Sequence, residues 1–529
     1  MSSASGPAIT NIIVVMLENR SYDNVLGSLY NPDNKPPYNQ APTGQAYLNG
    51  LTGKETNPSP VPCGAPIMVM NQTTTTDGNT GTVYPGTTVP LYDPGEPFKE
   101  MAQQILGTSS VPSENPYNTD PWPPDSDTLM QGFTLNYAQV TEPLSGQKVP
   151  TENYPDVMNY LTPAQLPVTA WLAYNFAVCD QWFASVPTQT FTNRAFAHGA
   201  APAVHQELDG NSFSLVDDAQ YVTDLIVTLP SVFSQLDAAF PGDENGSPPN
   251  WKVYFHDYSI STMITPYVYS KGKSKDNVNL ATYDDTDWGS NPDPLPLAHP
   301  KTLVHPLGTR LGALPTTFLE DLANNTLPKY AFIEPRYSSN YAPNTNAPNS
   351  NHPGASGYLK IVVSDDNPPI DAADGEAFLL QVYNALRSSD YWSSSLLIIT
   401  YDEHGGVYDH VVPPAVPSDA VPPGPNIPPA HNLDDKTADG FNFNVYGGRV
   451  PAIIVSPFIT AGSTITPPPG FPPFDHSSIP KTVWDCFNIP DSLTYRDAAA
   501  PSLYTCLSST AVNNTGLCNV TLDSDSDQV

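Results

Sequence analysis

The sequence has few positively charged residues. Its 529 residues include 20 Lys and Arg against 53 Asp and Glu, which gives a formal net charge of -33 at pH 7. Nucleic acids and anionic membrane surfaces are bound through clusters of basic side chains. The composition therefore argues against both as partners. An anionic substrate would need strong local positive charge, which a bound metal ion can supply.

Long apolar runs are also missing. No stretch approaches the roughly 18 apolar residues of a membrane-spanning helix, so we expect no stable membrane insertion. The start of the chain lacks the basic and apolar regions of a signal peptide. Several N-x-S/T sequences and a pI near 4.3 nevertheless favour a secreted protein, with a cytoplasmic location as the alternative.

Cysteine is scarce, and the five present form no C-x-x-C pair, which argues against a zinc ribbon. Cys506 and Cys518 are placed to close a short disulfide loop. Proline and glycine are abundant instead, at 61 and 33 residues. With 39% apolar residues the chain can still build a core, so this composition predicts ordered loops rather than disorder.

We therefore expect a single domain over residues 1–506 and a polar tail over residues 507–529. Loop insertions are predicted near residues 30–128, 260–310 and 413–445.

Two apolar runs organise the chain. Ile12–Leu17 and Leu396–Thr400 are short, rich in β-branched residues and free of charge, as is typical of strands buried on both faces. Ligands of open α/β sheets bind beyond the carboxyl ends of such strands. Polar residues stand at both of these ends: Glu18, Asn19, Asp402 and Glu403.

Further segments alternate between the two kinds of secondary structure. The pattern predicts an α/β fold with a mostly parallel central sheet and helices on both faces. Further strands are expected at 177–180, 252–255, 329–335 and 449–459, and helices near 97–106, 162–176, 229–239, 374–392 and 475–488.

Three carboxylates and an amide at one sheet edge would repel each other unless a cation lay between them. Oxygen ligands suit a hard or borderline divalent ion, so we predict one divalent metal ion, with Ca, Mg, Mn and Zn as candidates. A hydrolase also needs a nucleophile. Thr190 is our candidate, because coordination to a dication activates a hydroxyl. Its alternative is an ordinary polar turn.

Histidines number only 10, so their positions are informative. His352, His404, His410 and His476 are candidates for the general acid that protonates a leaving group. Each has a structural role as its alternative. Arg194 can pair either with phosphate or with a surface acid.

Three stretches resemble the signature sequences of the phosphoesterase family: ENRSYDNVLG, SVPTQTFTNR and YDEHGGVYDHVVPP. That family includes phospholipases C of bacteria and plants and bacterial acid phosphatases, with an alkaline-phosphatase-like fold. The resemblance extends to shorter stretches such as LMQGF, FIEP and DHSS and covers most of residues 11–490.

The resemblance implies a role for each matching position. The metal ligands would be Glu18, Asn19, Thr190, Asp402 and Glu403. The catalytic residues would be Thr190 as nucleophile, His352 at the scissile phosphate, and His410. Asn19, Arg194 and His476 would bind substrate, and we predict the same role for Glu96, although its position does not match the family pattern.

Two positions depart from the family pattern. Glu96 follows DPG, where the family often has His, and Thr192 stands where many members have Pro. An acid in place of a histidine changes how phosphate or the leaving group is held. It bears on the substrate more than on the reaction.

We expect a metal-dependent phosphoesterase that hydrolyses phosphate esters through a phosphothreonine, most similar to a phospholipase C. Its partner would be a small phosphate ester or a phospholipid. The alternatives are an acid phosphatase acting on monoesters and a non-catalytic, secreted metal-binding protein. A sulfatase is disfavoured, because Thr190 cannot yield the formylglycine that sulfatases use.

Overall fold

The computed structural model describes most of the chain. The described residues are 6–30, 49–141, 146–206, 211–218, 221, 229–241, 250–255, 259–265, 318–337, 348–354, 369–430, 440–490 and 492–522. The predicted insertion near 260–310 falls almost wholly outside these residues, as do parts of the other two. The division into one domain and a tail stays a prediction.

The strands build one central sheet and several two-stranded ribbons. Their bounds are β1 Asn11–Leu17, β2 Thr56–Asn57, β3 Ile67–Met68, β4 Thr74–Thr76, β5 Val83–Pro85, β6 Ala177–Cys179, β7 Trp182–Phe183, β8 Val204–Gln206, β9 Ser212–Ser214, β10 Trp251–Tyr254, β11 Tyr330–Ile333, β12 Ser395–Tyr401, β13 Ala452–Val455, β14 Ser463–Ile465 and β15 Phe474–Asp475.

The α-helices connect these strands and flank them. Their bounds are α1 Tyr22–Val25, α2 Phe98–Leu106, α3 Phe133–Tyr137, α4 Pro167–Asn175, α5 Thr190–Gly199, α6 Val232–Ala239, α7 Ile260–Ile264, α8 Phe318–Ala323, α9 Ala372–Ser388, α10 Ser478–Phe487 and α11 Tyr495–Ala499. Among these helices none has the length and apolarity needed to cross a bilayer.

The central sheet has the order β10-β11-β1-β12-β13-β6-β14 within the described part of the chain. Neighbouring strands are parallel except around β13, which runs antiparallel to both β12 and β6. The predicted α/β class with a mostly parallel sheet is confirmed. The reversed strand was not foreseen, since its apolar run carries no signal of direction.

The two strands that organise the sequence are neighbours in the middle of this sheet. β1 pairs with β12 in parallel, and Leu17 lies opposite Tyr401. Every residue of both strands is buried, so both faces of the sheet are covered. One group of helices pairs α4 with α9, and another joins α5 to α6, α7 and α10. With this register, the residues that follow β1 lie next to the residues that follow β12 at the carboxyl edge of the sheet.

The C-terminal segment packs on α9, and the cysteines differ from expectation. As far as residue 522 the tail is docked on α9, where Tyr383 Oη donates to Gly516 O at 2.6 Å and Cys518 N donates to Asn384 Oδ1 at 2.8 Å. Within the described chain all five cysteines are free. The expected bridge between Cys506 and Cys518 is therefore not formed.

Helix α4 depends on α9 for its N-terminal cap. Leu166, at the cap position, offers no side-chain hydrogen bond. The buried carboxylate of Glu376 accepts instead from the backbone N–H of Thr169 at 3.0 Å and also bonds Val168 N. Helix ends expose backbone N–H groups that need such partners.

Glu376→Ala should lower the free energy of unfolding by about 2 kcal/mol, because it leaves buried N–H donors without acceptors. Urea unfolding followed by circular dichroism measures this. Gln381→Ala, an exposed position on the same helix, is the control and should change stability by less than about 0.5 kcal/mol. Equal effects of the two substitutions would contradict the capping role.

Candidate active site

The residues after β1 and β12 meet at the carboxyl edge of the sheet, as predicted. Asn19 N–H donates to Asp402 Oδ1 at 3.0 Å, and the N–H of Glu403 donates to the same oxygen at 2.9 Å. Glu18, Asn19, Asp402 and Glu403 are all buried. Residues 383 positions apart in sequence are thus joined by the pairing of two strands.

The side chain of Asn19 connects the other predicted site residues. Its Oδ1 accepts the hydroxyl proton of Thr190 at 3.1 Å. Its Nδ2 donates to Glu96 Oε1 at 2.7 Å and lies 3.0 Å from His352 Nε2. Asn19 has a φ of 54°, a strained region for a residue with a side chain. A Cβ on Gly405 would come within 1.9 Å of Asn19 O, so only glycine fits beside it.

Thr190 is the first residue of α5. No helix is predicted over these residues from the sequence, so α5 was missed. The position matters, because a helix N-terminus favours negative charge on groups beside it. The hydroxyl is buried and points to Asn19.

Arg194 lies one turn further along α5 and does not face a ligand. Its Nε donates to Asp402 Oδ2 at 2.9 Å and its Nη1 donates to Tyr337 Oη at 2.7 Å. Its Nη2 lies 3.4 Å from Met16 O, and the side chain is fully buried. Each of the three guanidinium nitrogens therefore contacts a protein group. Arg194 neutralises Asp402, which differs from the predicted contact with phosphate.

His476 also differs from its predicted place. It precedes α10 rather than lying within it, and both ring nitrogens are engaged. Its Nε2 donates to Asp402 O at 2.6 Å, and its Nδ1 accepts from Trp182 Nε1 at 3.3 Å. With no ring nitrogen left for a substrate, His476 fixes the backbone of Asp402 instead.

His352 lies in the site beside Asn19. Its Nδ1 donates to Pro353 O at 2.7 Å, which leaves Nε2 as the acceptor facing Asn19 and Glu96. Glu96 Oε1 is 3.8 Å from that nitrogen. Burial lowers the pKa of His352 to about 4, so the ring is neutral at pH 7.

His410 belongs to a second cluster. Its Nδ1 is 2.7 Å from Asp23 Oδ2 and its Nε2 is 3.0 Å from Asn49 Oδ1. Arg449 bonds both Asp23, at 3.0 Å, and Asp409, at 2.9 Å, so these acids already have a cation. Burial opposes protonation of His410, but the hydrogen bond and charge of Asp23 raise its pKa. These contacts describe a structural ion cluster, and the catalytic role of His410 stays a prediction.

The carboxyl groups of the site repel one another. Burial, and then the charge of Asp402, raise the pKa of Glu18, while burial and then Glu96 raise that of Glu403. Burial raises the pKa of Glu96 to about 8, and its carboxyl group hydrogen-bonds that of Glu403. Two carboxylates can share such a contact only with a proton or a cation between them.

The donor types of these residues suit a divalent cation. Among the described residues, Glu18 Oε1 and Glu403 Oε1 are buried and have no hydrogen-bond partner. Leaving such oxygens unsatisfied is costly, and a metal ion would satisfy them. Carboxylate, amide and hydroxyl oxygens are the donors that hard divalent ions prefer.

Two residues near the site were missed by sequence reasoning. Arg20 is buried and donates to Asn351 O at 2.7 Å and to Val89 O, so it holds the segments that carry His352 and Glu96. It stands inside ENRSYDNVLG, where its neighbours could have drawn attention to it. Asp218 accepts the N–H of Phe191 at 2.8 Å. It belongs to no recognised motif, and no sequence signal marks it.

A buried hydroxyl at a helix start, hydrogen-bonded to Asn19 at the carboxyl edge of a mostly parallel sheet, is an arrangement expected of a hydrolytic α/β enzyme. The model of the phosphoesterase family matches residues 9–490. The chain belongs to the phosphoesterase family, and it is a phosphoric ester hydrolase.

The relatives cover nearly the whole chain. The sequence is 31% identical to non-specific phospholipase C1 of Arabidopsis thaliana over 503 residues, covering 94% of this chain and 70% of that protein. It is 25% identical to phospholipase C B of Mycobacterium tuberculosis strain H37Rv over 510 residues, covering 93% and 76%.

Likeness to solved structures is weak. A protein in the alkaline phosphatase superfamily from Vibrio parahaemolyticus shares 11% identity, with 61% of this chain and 60% of that one covered and a TM-score of 0.25. The lipoteichoic acid synthase LtaP from Listeria monocytogenes shares 13%, with coverages of 62% and 68% and a TM-score of 0.29.

The metal-free protein should lose stability as the pH rises. Glu96 has a folded pKa of about 8 against an ordinary 4.5, so its contribution is complete below pH 4.5 and is lost as the pH rises through about 8. Melting temperatures measured with chelator from about pH 5 to about pH 9 test this. The wild type should fall more steeply than Glu96→Gln, and equal slopes would contradict the assignment.

Proposed function

We propose that the protein hydrolyses phosphate esters with Thr190 as the nucleophile and one divalent cation in the acidic site. The observation that carries this is the position of the Thr190 hydroxyl, buried at a helix start and 3.1 Å from Asn19 Oδ1. Asn19, which accepts from this hydroxyl, follows Glu18, whose Oε1 is buried without a hydrogen-bond partner among the described residues, and a nucleophile held at a cation site explains this costly arrangement.

The proposed ligands are Glu18, Asn19, Thr190, Asp402 and Glu403. When bound, the ion would offset the negative charge of these acids and favour ionisation of the hydroxyl and binding of phosphate. Arg194 and His476 hold Asp402 in place from two sides, through its Oδ2 and its backbone carbonyl. These two residues serve as positioning groups.

The reaction is a double displacement. Thr190 Oγ1 forms a bond to phosphorus while the bond from phosphorus to the leaving oxygen breaks, which gives a phosphothreonine. Water then attacks phosphorus, releases the phosphoryl product and restores the hydroxyl. His352, whose neutral ring has Nε2 as an acceptor, is assigned to take the proton released by the Thr190 hydroxyl and to pass it to the departing oxygen. Asn19 Nδ2 is assigned to the equatorial oxygens of the transition state.

A phospholipase C-like diester is the favoured substrate class. A phosphodiester carries one negative charge, whereas a monoester carries close to two at neutral pH. The site is lined by buried carboxyl groups, and Arg194 is already bonded to Asp402, so the protein itself offers little positive charge for the second charge of a monoester. The names of the relatives, phospholipases C, agree with this choice. An acid phosphatase acting on monoesters is the alternative.

Hydrolysis of p-nitrophenyl phosphorylcholine and p-nitrophenyl phosphate, with and without chelator, tests the proposal. We expect turnover of the diester to exceed that of the monoester and to disappear with chelator. Thr190→Ala should reduce kcat at least about a thousandfold, because it removes the attacking atom.

Thr190→Ser is the matched control, since it keeps a hydroxyl and should keep measurable turnover. Acid-quenched wild-type enzyme should yield a peptide phosphorylated at Thr190. Near-wild-type rates in Thr190→Ala would refute the nucleophile. Full activity in chelator would refute the cation.

A further inference from the structure

The start of α5 is bonded to a segment that the proposed mechanism does not use. Thr188 Oγ1 donates to Asp217 Oδ1 at 2.8 Å, and Thr192 Oγ1 donates to Val216 O at 2.6 Å. The N–H of Phe191 donates to Asp218 Oδ1 at 2.8 Å. These bonds lie on both sides of Thr190 in sequence.

Helix α5 has no cap of its own. Gln189, at the cap position, makes no side-chain hydrogen bond to the helix. Its Oε1 accepts instead from the N–H of Asp218 at 3.2 Å. The carboxylate of Asp218 then takes the place of the missing cap at Phe191. The path of the backbone through Thr190 therefore depends on these residues as well as on Asn193 within the helix, whose Nδ2 donates to Thr188 O at 2.8 Å and to Gln189 O at 3.1 Å.

The same segment reaches the other side of the site. Asp217 Oδ1 also accepts the N–H of Phe98 at 2.8 Å, and Phe98 begins α2 two residues after Glu96. One carboxylate thus bonds both the Thr188 turn and the end of the loop that carries Glu96. The distance between Thr190 and Glu96 depends on it.

Asp218 caps the helix at a cost in free energy, because its carboxyl group is buried. It is only 5% exposed, and among the described residues its Oδ2 has no hydrogen-bond partner. The charges of Glu96 and Asp402 act on it unfavourably. A neutral cap would avoid this cost, and such costs are retained where geometry serves function.

We propose that Thr192, Asp217 and Asp218 form a clamp that holds the Thr190 hydroxyl in line with Asn19, so that Thr192 and Asp218 are positioning residues of the reaction. This rests on the proposed nucleophile. The hydroxyl of Thr192 is essential to the clamp, because it makes the bond to Val216 O.

Two pairs of variants test the clamp. Thr192→Val removes the hydroxyl at nearly constant shape, and Thr192→Ser restores it. Asp218→Ala removes the cap, while Asp218→Asn keeps an oxygen that can accept the N–H of Phe191. Thr134→Val is the control, because Thr134 donates to Pro58 O at 2.6 Å in a bond of the same kind away from the clamp.

We expect Thr192→Val and Asp218→Ala to lower kcat by on the order of ten- to a hundredfold with little change in KM, since a small displacement of a reacting group costs that much. Thr192→Ser and Asp218→Asn should stay near the wild type. Thr134→Val should lower the melting temperature without lowering kcat. An unchanged kcat in both Thr192→Val and Asp218→Ala would overturn the proposal. So would a loss of kcat in Thr192→Ser equal to that in Thr192→Val, together with a loss in Asp218→Asn equal to that in Asp218→Ala.

Amide hydrogen exchange over residues 188–194 supplies a readout that does not need turnover. Faster exchange in Thr192→Val and Asp218→Ala, but not in their partners, supports the clamp, and unchanged exchange overturns it. A wild type that hydrolyses neither ester would contradict the proposed function. The clamp would then be decided by the exchange rates alone.

Discussion

The parallel pairing of β1 with β12 is the constraint on which the rest depends. It places Glu18 and Asn19 beside Asp402 and Glu403, from a distant part of the chain, at one sheet edge, where Asn19 N–H donates to Asp402 Oδ1 at 3.0 Å. Their charges would drive the edge apart without compensation. Arg194 offsets Asp402 from one side. Among the described residues Glu18 Oε1 and Glu403 Oε1 have no hydrogen-bond partner, so a proton or a cation there would stabilise the edge.

Around that edge one group of residues contacts Asn19, and a second group holds the first in place. Thr190, Glu96 and His352 converge on the amide of Asn19. A surrounding layer keeps them there, with Arg20 and His476 bonded to the backbone of the segments that carry them. Buried charged groups recur in this layer because each fixes several backbone segments at once. Such groups specify one arrangement at some cost in stability.

Sequence reasoning worked where a local pattern determines the structure. The buried strands ending at Glu18 and Asp402 follow from uninterrupted apolar runs, and the meeting of their ends follows from parallel pairing. It failed where side chains choose among distant partners. Arg194 and His476 carry the chemistry expected of substrate contacts, yet both turn toward Asp402. The role of Asp218 could not be predicted from the sequence, because it arises only when the segment that carries Asp218 packs on the start of α5.

We infer above all that acidic residues from distant parts of the chain bind one divalent cation. Elemental analysis of the purified protein after gel filtration tests it most directly, with Glu18→Gln/Glu403→Gln compared to the wild type. The account predicts one divalent ion per wild-type chain and none in the double variant, which should stay folded. A wild type without metal, or a double variant that retains its metal, would contradict it.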